Sequence, residues 1–296
     1  MDGDDLTARA IALHDRFTHS PQDRRSFMRD MTWLAGSAAA ANLLAGAIGA
    51  SPASAALIAE DDKRLDIKAN AVWPGANTYL MRGYIAVPKA GKRRKIAPVI
   101  VIHENRGLQP YTRDVARRLA VAGFVGIAPD FLSGEGGTPA GDDDKARTMI
   151  GALDMAKTIS DGVATVDHFT RPATLNGKVG VIGFCWGGAL ADWIATTAGE
   201  RLTACAAFYG PPPPPSEAAK VKAAMMLHYA GTDDRVNAGA GAWVDALKAA
   251  GVDVTRYDYP GTQHAFHNDG SVARYDAPAA ALAWDRTIAF FKEKLA

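Results

Sequence analysis

From residue 80 onward, short apolar runs alternate with longer stretches in which apolar side chains recur every three to four positions. The short runs, at 81–88, 98–103, 124–128, 178–182, 203–209, 224–229 and 252–259, have the length and the Val, Ile and aromatic content of buried strands. The longer stretches, at about 111–122, 143–169, 188–198, 239–250 and 278–294, predict helices, and Gly123 and Gly251 follow two of them where a left-handed cap is expected. Strands this uniformly apolar need cover on both sides, so the alternation predicts an α/β fold: a mostly parallel sheet with crossover helices on both faces. The five prolines Pro211 to Pro215 break any regular element and predict an extended surface loop, and residues 133–142, rich in glycine and acidic side chains, predict another. Ligands of open parallel sheets bind beyond the carboxyl ends of the strands, which makes both loops candidate pocket walls.

The first 55 residues follow a different pattern. Asp23-Arg24-Arg25-Ser26-Phe27-Met28-Arg29 resembles a twin-arginine export signature, residues 31–48 form an uncharged stretch rich in alanine and glycine, and Ala53-Ser54-Ala55 offers a small-residue cleavage site. The plainer alternative is an amphipathic or membrane-anchoring helix. The order of features predicts an export signal over 1–55 and one catalytic domain over 56–296. It also predicts a periplasmic or otherwise exported product that engages the twin-arginine machinery and keeps no stable membrane anchor after cleavage.

Composition narrows the function classes. With 296 residues, 48% hydrophobic content and a net charge of +1, the chain can build one large soluble domain with a substantial core. Its basic residues are dispersed among acidic ones, so no footprint for nucleic acid is visible. Two cysteines, Cys185 and Cys205, are too few for a disulfide framework or a thiolate zinc site. The histidines and carboxylates lack tight ligand spacing and no phosphate-cradling loop is present, so neither a metal nor an organic cofactor is implied.

The chemistry concentrates at three strand ends. Gly183-Phe184-Cys185-Trp186-Gly187-Gly188 places a cysteine between glycines, directly after an apolar strand and before a helix. A sharp strand-to-helix turn lifts such a side chain above the sheet and aims it at the unpaired N–H groups and positive end of the helix, which favours a thiolate and can hold an oxyanion. The plainer alternative is a buried structural cysteine, the reading that suits Cys205 within its own apolar run. A cysteine nucleophile needs a base and a group to orient it. Gly231-Thr232-Asp233-Asp234-Arg235-Val236 supplies carboxylates after the strand at 224–229, and Gly261-Thr262-Gln263-His264-Ala265-Phe266-His267 supplies histidines after the last strand. Nucleophile, acid and histidine thus follow one another in the chain order of an α/β-hydrolase. His264 is preferred to His267, and spacing alone leaves Asp233 and Asp234 open.

These segments, together with His103-Glu104-Asn105-Arg106-Gly107-Leu108, resemble the dienelactone hydrolase family over about residues 65–295. The resemblance implies an α/β-hydrolase fold and cleavage of a carboxylic ester or lactone, a carboxymethylenebutenolidase type of reaction on a small molecule. It implies Cys185 as nucleophile, His264 as base, Asp233 as the acid that orients it, and Glu104 as a carboxylate that contacts the resting thiol. Backbone N–H groups of Trp186 and Asn105 would form the oxyanion hole. The best-known members read a substrate carboxylate with two arginines, expected shortly after Pro129-Asp130 and four residues after the histidine. This chain has Phe131-Leu132-Ser133-Gly134 and Asn268 there, and Arg106 is the remaining candidate for substrate binding. Two alternatives stand beside this reading: a broad carboxylesterase for neutral esters, and a non-catalytic or redox-responsive thiol protein on the same fold.

Overall fold

The computed structural model describes residues 3–19, 22–49, 57–89 and 95–296. The expected cleavage site at 53–55 and most of the basic turn after residue 89 lie outside them. Eight strands form one sheet: β1 (Leu65–Pro74), β2 (Leu80–Pro88), β3 (Pro98–Ile102), β4 (Val125–Asp130), β5 (Gly180–Phe184), β6 (Ala204–Phe208), β7 (Ala224–Ala230) and β8 (Val254–Tyr259). Their spatial order is β1-β2-β4-β3-β5-β6-β7-β8. The pairs β1 with β2 and β2 with β4 are antiparallel, and every other pair is parallel. This is the α/β-hydrolase fold.

Helices cover both faces, and the strands show why. In β3, Val99 and Val101 face one core while Ile100 and Ile102 face the other, and all four are buried. One core packs against α4 (Pro110–Val121) and α9 (Ala277–Lys294) through Val115, Leu119, Phe290 and Phe291. The opposite core packs against α6 (Met155–Thr170), α7 (Trp186–Ala198) and α8 (Asp234–Ala249) through Val166, Leu190, Ile194 and Trp243. Burying a side chain of this kind contributes about 1.5–3 kcal/mol.

Three boundaries differ from the sequence reading. The single helix expected over 143–169 is two, α5 (Asp143–Gly151) and α6, because Gly151 ends the first and the Asp154 side chain accepts from Lys157 N–H to start the second. Helix α8 begins at Asp234, a turn and a half before the expected start, because Asp233 caps it and accepts from Val236 N–H. Strand β1 was not read from the sequence at all; it lies at the sheet edge with only Leu65 and Trp73 buried.

The N-terminal segment is helical. Helices α1 (Gly3–His19), α2 (Arg24–Ala35) and α3 (Ala38–Gly49) share a small core of Ile11, Phe17, Phe27, Met31 and Leu34, against which Ala273 also packs. Among the described residues no helix is long and apolar enough to cross a membrane.

Candidate active site

Cys185 joins β5 to α7 with φ 57° and ψ −116°, a left-handed conformation that a non-glycine residue adopts only under strain of about 1–3 kcal/mol. The turn is forced by close approach of backbone. A Cβ on Gly183 would stand 1.9 Å from the Gly187 carbonyl oxygen, and one on Gly187 would stand 2.4 Å from the His103 carbonyl oxygen. Glycine at both positions lets α7 start directly over the sheet, with Trp186 as its first residue and the Cys185 side chain at its amino end.

The structure brings His264 and Asp233 to this turn. His264 Nδ1 lies 2.5 Å from Asp233 Oδ2, and both side chains are buried. The ring also hydrogen-bonds Cys185. Burial disfavours charge on His264, yet the negative charge of Cys185, the bonds to Asp233 and Cys185, and the Asp233 charge outweigh it and raise the imidazole to about 10. For Asp233, burial pushes upward, and the hydrogen bond and charge of His264 outweigh it to hold the carboxyl below its usual range. Asp234 is exposed in the first turn of α8. His267 is buried and bonded to the Tyr111 hydroxyl at 2.6 Å, and burial with the nearby Arg118 lowers it to about 3. Geometry thus joins Asp233 and His264 to Cys185, and gives Asp234 and His267 other surroundings.

Glu104 lines the same cavity as Cys185. Tyr209 Oη donates to its Oε1 at 3.3 Å and Asn268 Nδ2 donates to its Oε2 at 2.7 Å. Asn268, which stands where the family resemblance puts an arginine, therefore serves to hold Glu104. Residue His103 was not singled out in the sequence. Its ring stacks on Trp186 with centroids 5.3 Å apart and planes at 11°. Nε2 accepts from Phe131 N–H at 3.2 Å, which leaves the proton on Nδ1 to be donated to the Glu104 carbonyl at 2.7 Å. Burial lowers the pKa of His103, consistent with this neutral tautomer.

Two spaces meet at Cys185. A small cavity of about 50 Å³ is bordered by Glu104, Arg106, His264, Asn268, Arg274 and His14. A wider cleft of about 850 Å³ is bordered by Trp186, Pro211, Ile150, Arg147, Arg235 and Arg24. Asn105 and Cys185 border both. Pro211 makes the proline loop a wall, as the sequence suggested. The loop at 133–142 does not border either space; its Thr138 accepts from Leu108 N–H, and the following helix α5 forms the wall instead. Arg106 is in place as a cavity residue and pairs with Asp143 at 3.2 Å. Arg274 was missed: it comes from the loop after His264 and donates to His14 Nδ1 at 2.8 Å. Among the described residues no cluster of His, Cys, Asp and Glu could hold a metal ion.

Comparison with known proteins places the chain in a family. The model of the dienelactone hydrolase family matches residues 81–295. Protein usf of Aquifex pyrophilus is 36% identical over 231 residues, covering 74% of this chain and 96% of that protein. A protein of Aquifex aeolicus named "Putative carboxymethylenebutenolidase" is 34% identical over 232 residues, covering 74% and 96%. The dienelactone hydrolase of Anabaena variabilis superposes with a TM-score of 0.62 at 23% identity, covering 79% of this chain and 100% of that one, which speaks to the fold alone.

Proposed function

The chain belongs to the dienelactone hydrolase family and is a hydrolase, and from that premise we propose that it cleaves a carboxylic ester or lactone through Cys185, His264 and Asp233. The observation that carries the proposal is the line from Asp233 through His264 to Cys185, three side chains from the ends of β7, β8 and β5.

Once substrate has entered, the Cys185 proton passes to the imidazole of His264, whose raised value suits it to hold that proton. The thiolate attacks the ester carbonyl carbon, and the carbonyl electron pair moves to oxygen. That oxyanion sits against the N–H groups of Trp186 and Asn105, donors of a kind worth about 3–4 kcal/mol each. Collapse expels the alkoxide, which takes the proton from His264 and leaves a thioester. The Cys185 charge has then been consumed, so the largest of the effects that raise His264 is gone and the neutral ring can take a proton from water. Hydroxide attacks the thioester, thiolate leaves with the proton still on His264, and return of that proton to sulfur restores the enzyme. Asp233 holds the ring with Nε2 toward the reaction throughout. Glu104, held by Tyr209 and Asn268, is the group that entering substrate displaces.

Arg106 and Arg274 bring positive charge to the small cavity, which supports an ester or lactone that carries a carboxylate. The test is hydrolysis of a dienelactone and of matched neutral and anionic chromogenic esters. Wild type should favour the anionic member and form an acyl-enzyme detectable by mass. Equal residual rates for wild type and Cys185→Ala would end the proposal. A preference for neutral esters would move it to a broad carboxylesterase. The motif at residues 23–29 and the uncharged stretch after it further support export by the twin-arginine pathway, and full-length protein confined to the cytoplasm on fractionation would remove that part.

A further inference from the structure

We infer that the helices of residues 3–49 form the outer wall of the cleft over Cys185 in the full-length chain, with His14 and Arg24 helping to decide which esters fit. The inference rests on reading Cys185 as the nucleophile.

The segment has its own core, in which the rings of Phe17 and Phe27 stack with centroids 4.4 Å apart. It is tied to the catalytic unit around both spaces that reach Cys185. The Arg147 guanidinium of α5 lies 4.1 Å from the centroid of the Phe17 ring and donates to the Phe17 carbonyl at 3.3 Å. Arg24 pairs with Asp144, also on α5. Arg274 donates to His14. The Arg24–Asp144 pair is exposed and adds little. Phe17, 5% exposed and lying under a cation, is the anchor of the joint.

What this joint builds is part of the site. His14 borders the small cavity together with Cys185 and His264, and Arg24 borders the wider cleft with Trp186. His14 is buried, and burial together with Arg274, Arg106 and Arg147 lowers it to about 3. It is therefore a neutral acceptor that fixes Arg274 at the cavity wall without adding charge. Each space is thus bordered by an N-terminal side chain. A substrate that grows outward from the acyl carbon meets the segment, so its presence favours short esters. Loss of the segment at the expected cleavage site would leave a wider cleft.

The test uses the full chain with Phe17→Ala, and Trp33→Ala as the control, since Trp33 is 84% exposed on α2 and borders neither space. Two readouts are taken: the ratio of kcat/KM for a hexanoate over an acetate ester, and the rate at which iodoacetamide alkylates Cys185, with fully buried Cys205 as internal reference. Phe17→Ala should raise the ester ratio at least fivefold and the alkylation rate about tenfold, and Trp33→Ala should change neither. Unchanged values in folded Phe17→Ala overturn the inference. Faster alkylation in a protein that cleaves no ester keeps the wall and rejects the nucleophile. If circular dichroism shows Phe17→Ala unfolded, Arg147→Gln opens the same joint from the catalytic side and is judged by the same two readouts.

Discussion

The His103 ring lies flat against Trp186 while its Nδ1 holds the Glu104 carbonyl, so one side chain touches both halves of the proposed oxyanion hole. In a trans peptide the C=O and N–H point in opposite directions. Holding the Glu104 carbonyl on one side therefore aims the Asn105 N–H the other way. The stack meanwhile restrains Trp186, the first residue of α7.

His103 is accordingly a positioning residue, and its loss should affect the transition state more than substrate binding. His103→Phe keeps an aromatic face but removes the bond to Glu104; kcat is expected to fall about 10- to 100-fold with KM within threefold, below the cost of deleting a donor outright. His103→Gln retains a donor and an acceptor and should recover part of kcat. Steady-state kinetics on one ester checks this, and a KM effect larger than the kcat effect would refute it.

Gly183 meets the Gly187 carbonyl so closely that a single methyl cannot be housed without moving α7. Gly183→Ala should cost about 3 kcal/mol or more, as severe core overpacking does. For a domain of this size that lowers the thermal midpoint by roughly 10 °C. Scanning calorimetry would show it, and a midpoint within 2 °C of wild type, a margin of about 1 kcal/mol, would contradict the close approach.

The strand-end motifs were legible because each is short, local and tied to a glycine-shaped turn, and the parallel strands were legible because both of their faces are apolar. Spacing left Asp233 and Asp234 open and only the family resemblance pointed to Asp233; in the structure the first faces His264 and the second faces solvent. Arg274 left no trace in the sequence: its place depends on His14, 260 positions away. Strand β1 escaped because an edge strand with exposed Asp66 and Ala69 lacks the continuous apolar run of the central strands. The small core of the N-terminal helices was not legible, because a stretch rich in alanine suits an export signal as well as helix packing.

The raised His264 has a sign that can be checked. Its folded value is about 10 and its unfolded value about 6.5, so both forms hold the proton below pH 6.5 and only the folded form holds it from there to 10. The stabilisation is complete below 6.5, declines through that window as pH rises, and is lost above 10. Cys185→Ala removes the leading upward effect. NMR titration of the imidazole should show a much lower value in that variant, and the same value in both proteins would reject the thiolate–imidazolium pair.

Asp192 of α7 offers a prediction of opposite origin. It is fully buried, has no hydrogen-bond partner among the described residues, and burial pushes its carboxyl well above the usual range. Here the folded state keeps a proton that the unfolded chain releases near pH 4, so this group costs stability progressively as pH rises above 4. Asp192→Asn has nearly the same shape and no proton to lose. Near pH 4 the two proteins should have similar stability. At pH 8 the asparagine variant should be the more stable of the two, because the wild-type folded state must retain a proton that its unfolded chain releases. Urea unfolding at both pH values measures the difference. A gap that stays constant between them, or one that favours wild type at pH 8, would show that Asp192 is ionised and paired in the folded protein.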